Sequence, residues 1–212
     1  MLNIIASDRR HHVDAGWLNS RWHFSFGDYQ DPANMGFGVL RVFNDDIVQP
    51  QQGFGMHPHR DMEIISYVIT GELEHRDHIG HRGVLKAGGV QTMSAGKGIM
   101  HSESNPSHAE PVHFVQIWIH PRTRGSAPRY QDAHFEPGRH RNAWLTIVSS
   151  GDAPGSLPID QDAAIAVAMV DAGQKLTHAL RQGRSAYFFV ISGEVTLNGK
   201  AMSAGDQARV SS

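Results

Sequence analysis

Short runs of β-branched and aromatic residues, separated by turn residues, recur along the whole chain. Three clear examples are MEIISYVITG (62–71), VHFVQIWIH (112–120) and SAYFFVISGEVTLNG (185–199). Runs of this kind bounded by glycine, proline, asparagine or serine are typical of strands. No window of comparable length keeps a strong helical stripe of apolar positions. The pattern predicts an all-β protein.

One pair of segments repeats along the chain. YVITGEL (67–73) is echoed by FVISGEV (189–195), and each copy is followed by a second glycine step, LKAGG (85–89) and MSAGD (202–206). Self-similarity of this kind indicates a duplicated domain. We therefore expect a first β-barrel over residues 1–150 and a second over residues 151–212, with a linker near residues 150–162.

The second barrel is expected to differ from the first in two ways. The repeat places Ala179 and Arg181 where His57 and His59 lie in the first copy, so a histidine site cannot be duplicated. By the same repeat, the counterpart of His101 would lie beyond residue 212, so the second copy ends earlier than the first. An incomplete second barrel with an open sheet edge is the expectation, and with it a monomer or a weak dimer.

Composition narrows the chemistry that the 212 residues can perform. There is no cysteine, which excludes disulfides, thiolate metal sites and cysteine nucleophiles, whereas histidine occurs 15 times. The formal charge is −2, with basic residues scattered along the chain, so nucleic-acid binding is not expected. No apolar stretch has the length of a membrane span and the N-terminus is unlike a secretory signal. A cytoplasmic protein is expected.

Two pairs of possible metal ligands have the spacing of residues on one face of a strand. His57 and His59 form the first pair, and His101 and Glu103 form the second, behind the glycine-rich turn 96–98. Residues i and i+2 of a strand point to the same side. If both strands face into one barrel, three imidazoles and one carboxylate converge. Such ligands suit Fe, Mn, Co, Ni, Cu or Zn and leave positions open for water or substrate.

The segments GFGMHPHRDMEIISYVITGELEHRD (53–77) and MSAGKGIMHSESNPS (93–107) resemble the signature of the pirin family in the cupin superfamily. The resemblance is in particular to the bacterial members that are similar to quercetin dioxygenases, and it extends to residues 16–46 and 113–121. This resemblance implies a bicupin fold with one divalent metal, usually iron, in the first barrel. The implied metal ligands are His57, His59, His101 and Glu103.

The resemblance also implies a function. Flavonol-cleaving relatives use their metal to bring dioxygen to an aromatic enol such as quercetin, opening the ring and releasing carbon monoxide. Glu103 would then be both a ligand and the base that removes the 3-hydroxyl proton. A metal-binding regulatory protein that responds to redox state is the alternative within the family. A cupin that isomerises an unknown small substrate is a third reading.

Other polar and aromatic residues near these motifs are further candidates for the site. Glu63 occupies the place of the glutamate that cupins generally use as a ligand, and is the less favoured choice. The segment HRDHIGH (75–81) is interpreted as a solvated turn. The remaining candidates are residues that orient the metal ligands or line a pocket beside the metal: Arg60, Asp61, Met56, Phe37, Phe54 and Trp118.

Overall fold

The chain is built from strands. The computed structural model describes residues 1–211, and within them lie nineteen strands, two short 3₁₀ turns at Ser7–Arg9 and Pro137–His140, and no α-helix. The all-β prediction is confirmed. Residues 1–211 include no helix with the length and apolar character needed to cross a membrane.

Two sheets form the first barrel. Its strands are β2 (His11–Asp14), β3 (Leu18–Trp22), β4 (Leu40–Val48), β5 (Gly53–His59), β6 (Glu63–Thr70), β7 (Glu72–Asp77), β8 (Arg82–Lys86), β9 (Gly89–Ser94), β10 (Ile99–Ser104), β11 (Val112–Ile119) and β12 (Arg129–His134). Seven of them form one sheet in the order β12-β9-β6-β11-β4-β3-β2, and four form the other in the order β5-β10-β7-β8. Val68 and Phe114 of the large sheet pack with Leu73 and Leu85 of the small one, so the sheets enclose a common core.

Strand β6 is covered on both faces. Ile64 and Val68 pack inside the first barrel, whereas Ile65 and Tyr67 belong to a larger core on the outer side of the same sheet. A strand buried on two sides needs a nearly continuous apolar run, which is the pattern of residues 62–71. Because side chains alternate, Ser66 lies on the inner face between Ile64 and Val68.

The second half of the chain forms three small sheets. Its strands are β13 (Leu145–Ser149), β14 (Leu157–Pro158), β15 (Ile165–Val167), β16 (Ser185–Phe189), β17 (Glu194–Leu197), β18 (Lys200–Ser203) and β19 (Gln207–Ser211). The sheets are β14-β13-β15, the pair β17-β18, and a third in which β19 lies beside β16. Val190, Met202 and Ala208 form an apolar core in this half.

The sequence repeat corresponds to a repeated turn geometry. Gly71 and Gly193, the glycines of the two ITGE and ISGE copies, have φ angles of 79° and 75°. The second glycine step repeats equally well, with φ angles of 82° at Gly88 and 83° at Gly205. Left-handed backbone of this kind favours glycine. The duplicated segments thus make the same turns in both halves.

The first strand, β1 (Leu2–Ile5), does not join the first barrel. It pairs antiparallel with β19, with Leu2 opposite Val210 and Ile5 opposite Gln207. Strand β19 therefore has a neighbour on each side and is not an edge strand. The domain bounds predicted from the sequence put residues 1–5 in the first barrel, because a strand that pairs across about 200 residues leaves no local pattern in the sequence.

The largest core cluster lies between the two halves. It joins Phe43 and Ile117 of the first barrel to Ile147, Val148 and Leu157 of the second half. All five side chains are at most 8% exposed. Burial of this continuous apolar surface is the main force that holds the halves together.

Candidate metal centre

Three histidines on two neighbouring strands converge. His57 and His59 lie on β5 and His101 lies on β10, where it is directly opposite His57 in the antiparallel register. One ring nitrogen from each imidazole lies within 4.8 Å of the others. Among residues 1–211 this is the one group of three or more histidines or carboxylates so arranged. The predicted meeting of the three imidazoles in the first barrel is confirmed.

A bulge and a glycine turn position these two strands at the site. The register between β5 and β10 shifts between His101 and Glu103, which places an extra residue in β5 near Gly55. Bulges of this kind re-aim side chains next to functional sites. Before β10, the chain turns at Gly96, where an added Cβ would lie 2.1 Å from the carbonyl oxygen of Ser126. Only glycine allows the chain to pass so close to residue 126.

The nitrogens that remain free are the ones a metal would use. Nδ1–H of His57 donates to the Gly55 carbonyl oxygen at 2.7 Å, which leaves its Nε2 with a lone pair. Nε2 of His59 and of His101 are both buried, with no hydrogen-bond partner among the described residues. Buried polar atoms without partners are rare and costly. A metal ion bound by three Nε2 atoms would remove this cost, so the donor set fits a divalent transition metal.

Burial keeps two of these imidazoles neutral, those of His59 and His101. Burial, together with the neighbouring His101 and His57, lowers the pKa of His59 to about 3. Burial and the neighbouring His57 and His75 lower the pKa of His101 to about 3 as well. Histidine must be neutral to bind a metal, so both side chains are in the binding form at neutral pH.

Glu103 lies two residues after His101 on β10, and other side chains hold its carboxylate in place. It is 1% exposed, and its Oε1 accepts hydrogen bonds from Ser66 at 2.8 Å and from Gln91 at 2.5 Å. Its Oε2 accepts one from Gln116 at 2.6 Å. A carboxylate has about four acceptor positions, so one remains open. Glu103 is not in the group of three histidines, and its role as a fourth ligand stays a prediction.

Glu63 lies outside the histidine group too. It is buried on β6, where its Oε2 accepts a hydrogen bond from the Ser94 hydroxyl at 2.8 Å. Burial raises the pKa of this carboxyl group, and the Ser94 hydrogen bond opposes the rise. Glu63 stands at the position where cupins generally have a glutamate ligand, but here its carboxylate is hydrogen-bonded to Ser94 on β9.

A cavity of about 460 Å³ lies where β5 ends and β10 begins. Its lining residues are Pro58, His59, Arg60, His78, Lys97, Gly98, Ile99 and Met100. The volume lies within the usual range for small-molecule pockets, about 300 to 1,000 Å³. The lining includes a candidate metal ligand together with the cationic side chains of Arg60 and Lys97. His59 is the member of the histidine group that reaches this cavity, and neither His57 nor His101 is among the lining residues.

The aromatic and charged residues proposed for the pocket divide into two groups. The ring of Trp118 meets that of His59 edge-on with centroids 4.8 Å apart, so it forms one wall of the ligand cluster. Asp61 instead accepts a hydrogen bond from the Gly125 backbone, and Met56 is 51% exposed. The rings of Phe37 and Phe54 pack against aromatic residues away from the histidines, on Tyr187 and Trp17 respectively.

The interpretation of residues 75–81 as a solvated turn is wrong for its first histidine. His75 is fully buried on β7, and its Nδ1 lies 3.4 Å from Nδ1 of His101. Leu73, His75 and Asp77 alternate along β7 and are all buried. This alternation with a period of two indicates a strand with a buried face. The regular three-residue spacing of His75, His78 and His81 drew attention away from it. His78 and His81 do lie at the turn, as expected.

Comparisons with known proteins agree with this geometry. The model of the pirin family matches residues 5–119, more than half of the chain. The chain belongs to the pirin family. Residues 146–212 of this pirin match the model of the quercetinase C-terminal cupin domain, so the two-cupin fold is confirmed.

Relatives of this pirin are named for a dioxygenase activity or for the family. A quercetin 2,3-dioxygenase of Escherichia coli K12 is 42% identical over 208 residues, covering 97% of this chain and 88% of the relative. A pirin-like protein of Caulobacter vibrioides is 43% identical over 199 residues, covering 93% and 85%. The crystal structure of the bacterial pirin YhhW of Escherichia coli, in complex with nickel(II), superposes with a TM-score of 0.84 at 38% identity, covering 99% of this chain and 90% of that one.

Proposed function

We propose that the chain is a metal-dependent dioxygenase that cleaves a flavonol such as quercetin with O₂ and releases carbon monoxide. The main support is structural: three imidazoles come together in the first barrel, and one of them, His59, also lines a cavity of about 460 Å³. The names of relatives above 40% identity support the same chemistry. A site that only stabilised the fold would not need a cavity next to its ligands.

His57, His59 and His101 would hold one divalent metal through Nε2. Iron(II) is our expectation, and Mn, Co, Ni, Cu and Zn suit the same nitrogen donors. Such a metal supplies positive charge that stabilises a bound enolate and brings dioxygen beside it. Trp118 packs edge-on against His59 and limits the space around this ligand.

The cationic rim of the cavity selects the charge of the substrate. Lys97 and Arg60 line the cavity together with His59, and no carboxylate is among the lining residues. Positive charge around a concave site attracts anions and favours their bound form. A flavonol that has lost its 3-hydroxyl proton is such an anion.

Glu103 is the proposed base for that proton. Its carboxylate is fixed in place by Ser66, Gln91 and Gln116, with one acceptor position left to receive a proton from the substrate. A base that is held rigidly needs no rearrangement to accept a proton, and general base catalysis typically contributes about 10²- to 10⁴-fold in rate.

An oxygen-electrode assay tests the proposal. Apoprotein is reconstituted separately with Fe(II), Mn(II), Co(II), Ni(II) and Cu(II), mixed with quercetin, and followed by oxygen uptake and carbon monoxide release. The matched control is His57→Ala, treated identically, which corrects for the metal-catalysed oxidation of free quercetin. Uptake above this control with one of the metals is the expected result. Protein that binds a metal but never exceeds the control would contradict the proposal and favour a metal-dependent binding protein.

A further inference from the structure

A fourth histidine, His75, lies directly behind His101, one of the three candidate ligands. His75, on the neighbouring strand β7, has no exposed surface, and its Nδ1 is 3.4 Å from Nδ1 of His101. On its other side, Nε2 of His75 is 3.5 Å from Oδ2 of Asp77. The three side chains thus form a line from the metal-facing imidazole to a buried carboxylate.

The chemistry of these atoms sets the direction of the hydrogen bonds. A carboxylate only accepts, so the proton of a neutral His75 lies on Nε2 and its Nδ1 is an acceptor. Nδ1 of His101 must then be the donor, which leaves Nε2 of His101 with its lone pair. That Nε2 is the buried atom without a partner that faces His57 and His59.

Other contacts hold His75 and Asp77 in place. The ring of Tyr130 stacks on His75 with centroids 4.3 Å apart and an interplanar angle of 19°. Oδ1 of Asp77 accepts the backbone N–H groups of Ile79 and His81, and Oδ2 accepts Nδ1–H of His81 at 2.7 Å. Neither group can rotate away without breaking several contacts.

We propose that His75 is a positioning residue of the metal centre, and that with Asp77 it fixes His101 as the tautomer that presents Nε2 to the metal. Groups behind a metal-bound imidazole commonly have this role. The inference concerns metal binding and involves no substrate. It is therefore tested separately from the dioxygenase activity.

Two substitutions at one position separate the hydrogen bond from the packing. His75→Phe keeps a ring against Tyr130 but removes the acceptor for His101. His75→Asn loses the stacking but places a carbonyl oxygen near the site of Nδ1. The dissociation constant for Ni(II) is measured by competition with a chromophoric chelator, and the visible spectrum of the Co(II) protein reports the ligand geometry. His178→Phe in the second half is the matched control.

The expected result is that His75→Phe weakens Ni(II) binding about 10- to 100-fold and alters the Co(II) spectrum. The dissociation constants of His75→Asn and of the control for Ni(II) are expected to stay within about threefold of that of the parent protein. Both variants keep an acceptor behind His101. Equal binding by His75→Phe and the parent would overturn the proposal. Equal weakening by both His75 variants would also overturn it, because packing would then be the cause.

Asp77→Asn provides a second test if His75→Phe does not fold. The amide keeps an acceptor for the backbone N–H groups of Ile79 and His81, but an NH₂ group in place of Oδ2 would move the proton of His75 to Nδ1. That proton would face the N–H of His101 and oppose the metal-binding tautomer. Ni(II) binding about tenfold weaker is expected, and binding equal to the parent would contradict the proposal.

Discussion

Gly53 of β5 lies so close to Ser104 of β10 that a Cβ added to Gly53 would be 2.4 Å from the Cα of Ser104. The same Cβ would also be 2.4 Å from the carbonyl oxygen of Glu103. Both obstacles are backbone atoms, which cannot move without shifting β10. On the other side of the bulge, the same two strands place His57 opposite His101.

Gly53→Ala is therefore expected to destabilise the protein by about 1 to 3 kcal/mol, the usual cost of forcing extra volume into a packed site. Gly55, two residues along the same strand, has no atom within 4 Å of an added Cβ, which makes Gly55→Ala a matched control. The control should change the free energy of unfolding by no more than about 0.5 kcal/mol. Urea unfolding monitored by fluorescence compares the two, and equal effects would contradict the strand-contact argument.

The second prediction concerns metal stoichiometry. The histidine group occurs once among residues 1–211, and the core of the second half is apolar. Reconstituted protein should hold one equivalent of metal per chain, and His57→Ala should retain less than about a tenth of an equivalent after gel filtration, because two imidazoles alone bind weakly. His178→Ala should keep the full equivalent. Metal analysis by mass spectrometry gives the answer, and a second equivalent that survives His57→Ala would reveal another site.

The third prediction concerns the proposed base. Glu103→Gln would turn an amide NH₂ towards the donors Gln91 or Gln116 and would remove the proton acceptor. We expect kcat for quercetin cleavage to fall by about 10²-fold or more. Glu63→Gln is the matched control, because Glu63 is equally buried yet bonds to Ser94, and its kcat should stay within about threefold of the parent. Equal losses in both variants would argue against a special role for Glu103.

The fourth prediction concerns pH and Asp46, a buried carboxyl group on β4 that accepts a hydrogen bond from Ser20. Burial raises the pKa of Asp46 to about 7, from an ordinary value of 3.8. The folded protein thus binds this proton more tightly than the unfolded chain. The stability that this proton contributes is present below about pH 4 and is lost as the pH rises to about 7.

Asp46→Asn removes the titrating group while keeping an acceptor for Ser20. The difference in the free energy of unfolding, variant minus parent, should therefore be about 2 to 3 kcal/mol larger at pH 8 than at pH 5. Urea unfolding at both pH values measures the difference. A difference that does not change with pH would show that Asp46 is already ionised in the folded protein at pH 5.

Much of the first barrel could be predicted because the relevant signals are local. The i, i+2 spacing of His57 with His59 sets two imidazoles on one face of a strand, and the repeat at Gly71 and Gly193 marks the same turn twice. The convergence of β5 with β10 required only that both strands belong to one barrel. These features depend on backbone periodicity, which the order of residues contains directly.

Other parts of the site depend on contacts that sequence order does not contain. The environment of His75 is set by Tyr130 and His101, which lie 55 and 26 residues further along the chain. In the sequence, the charged neighbours of His75 made it look solvated. Likewise, nothing near Glu103 indicated that Ser66, Gln91 and Gln116 would all donate to it, since they come from three other strands.

The pairing of β1 with β19 also constrains how the chain folds as it is made. Leu2 leaves the ribosome 208 residues before its partner Val210, which corresponds to roughly 10 to 40 s of synthesis. Every strand of the first barrel is available in that interval, whereas β1 must remain without its partner. Strand β1 can therefore pair only after β19 has been made, and their sheet joins two segments that are synthesised far apart in time.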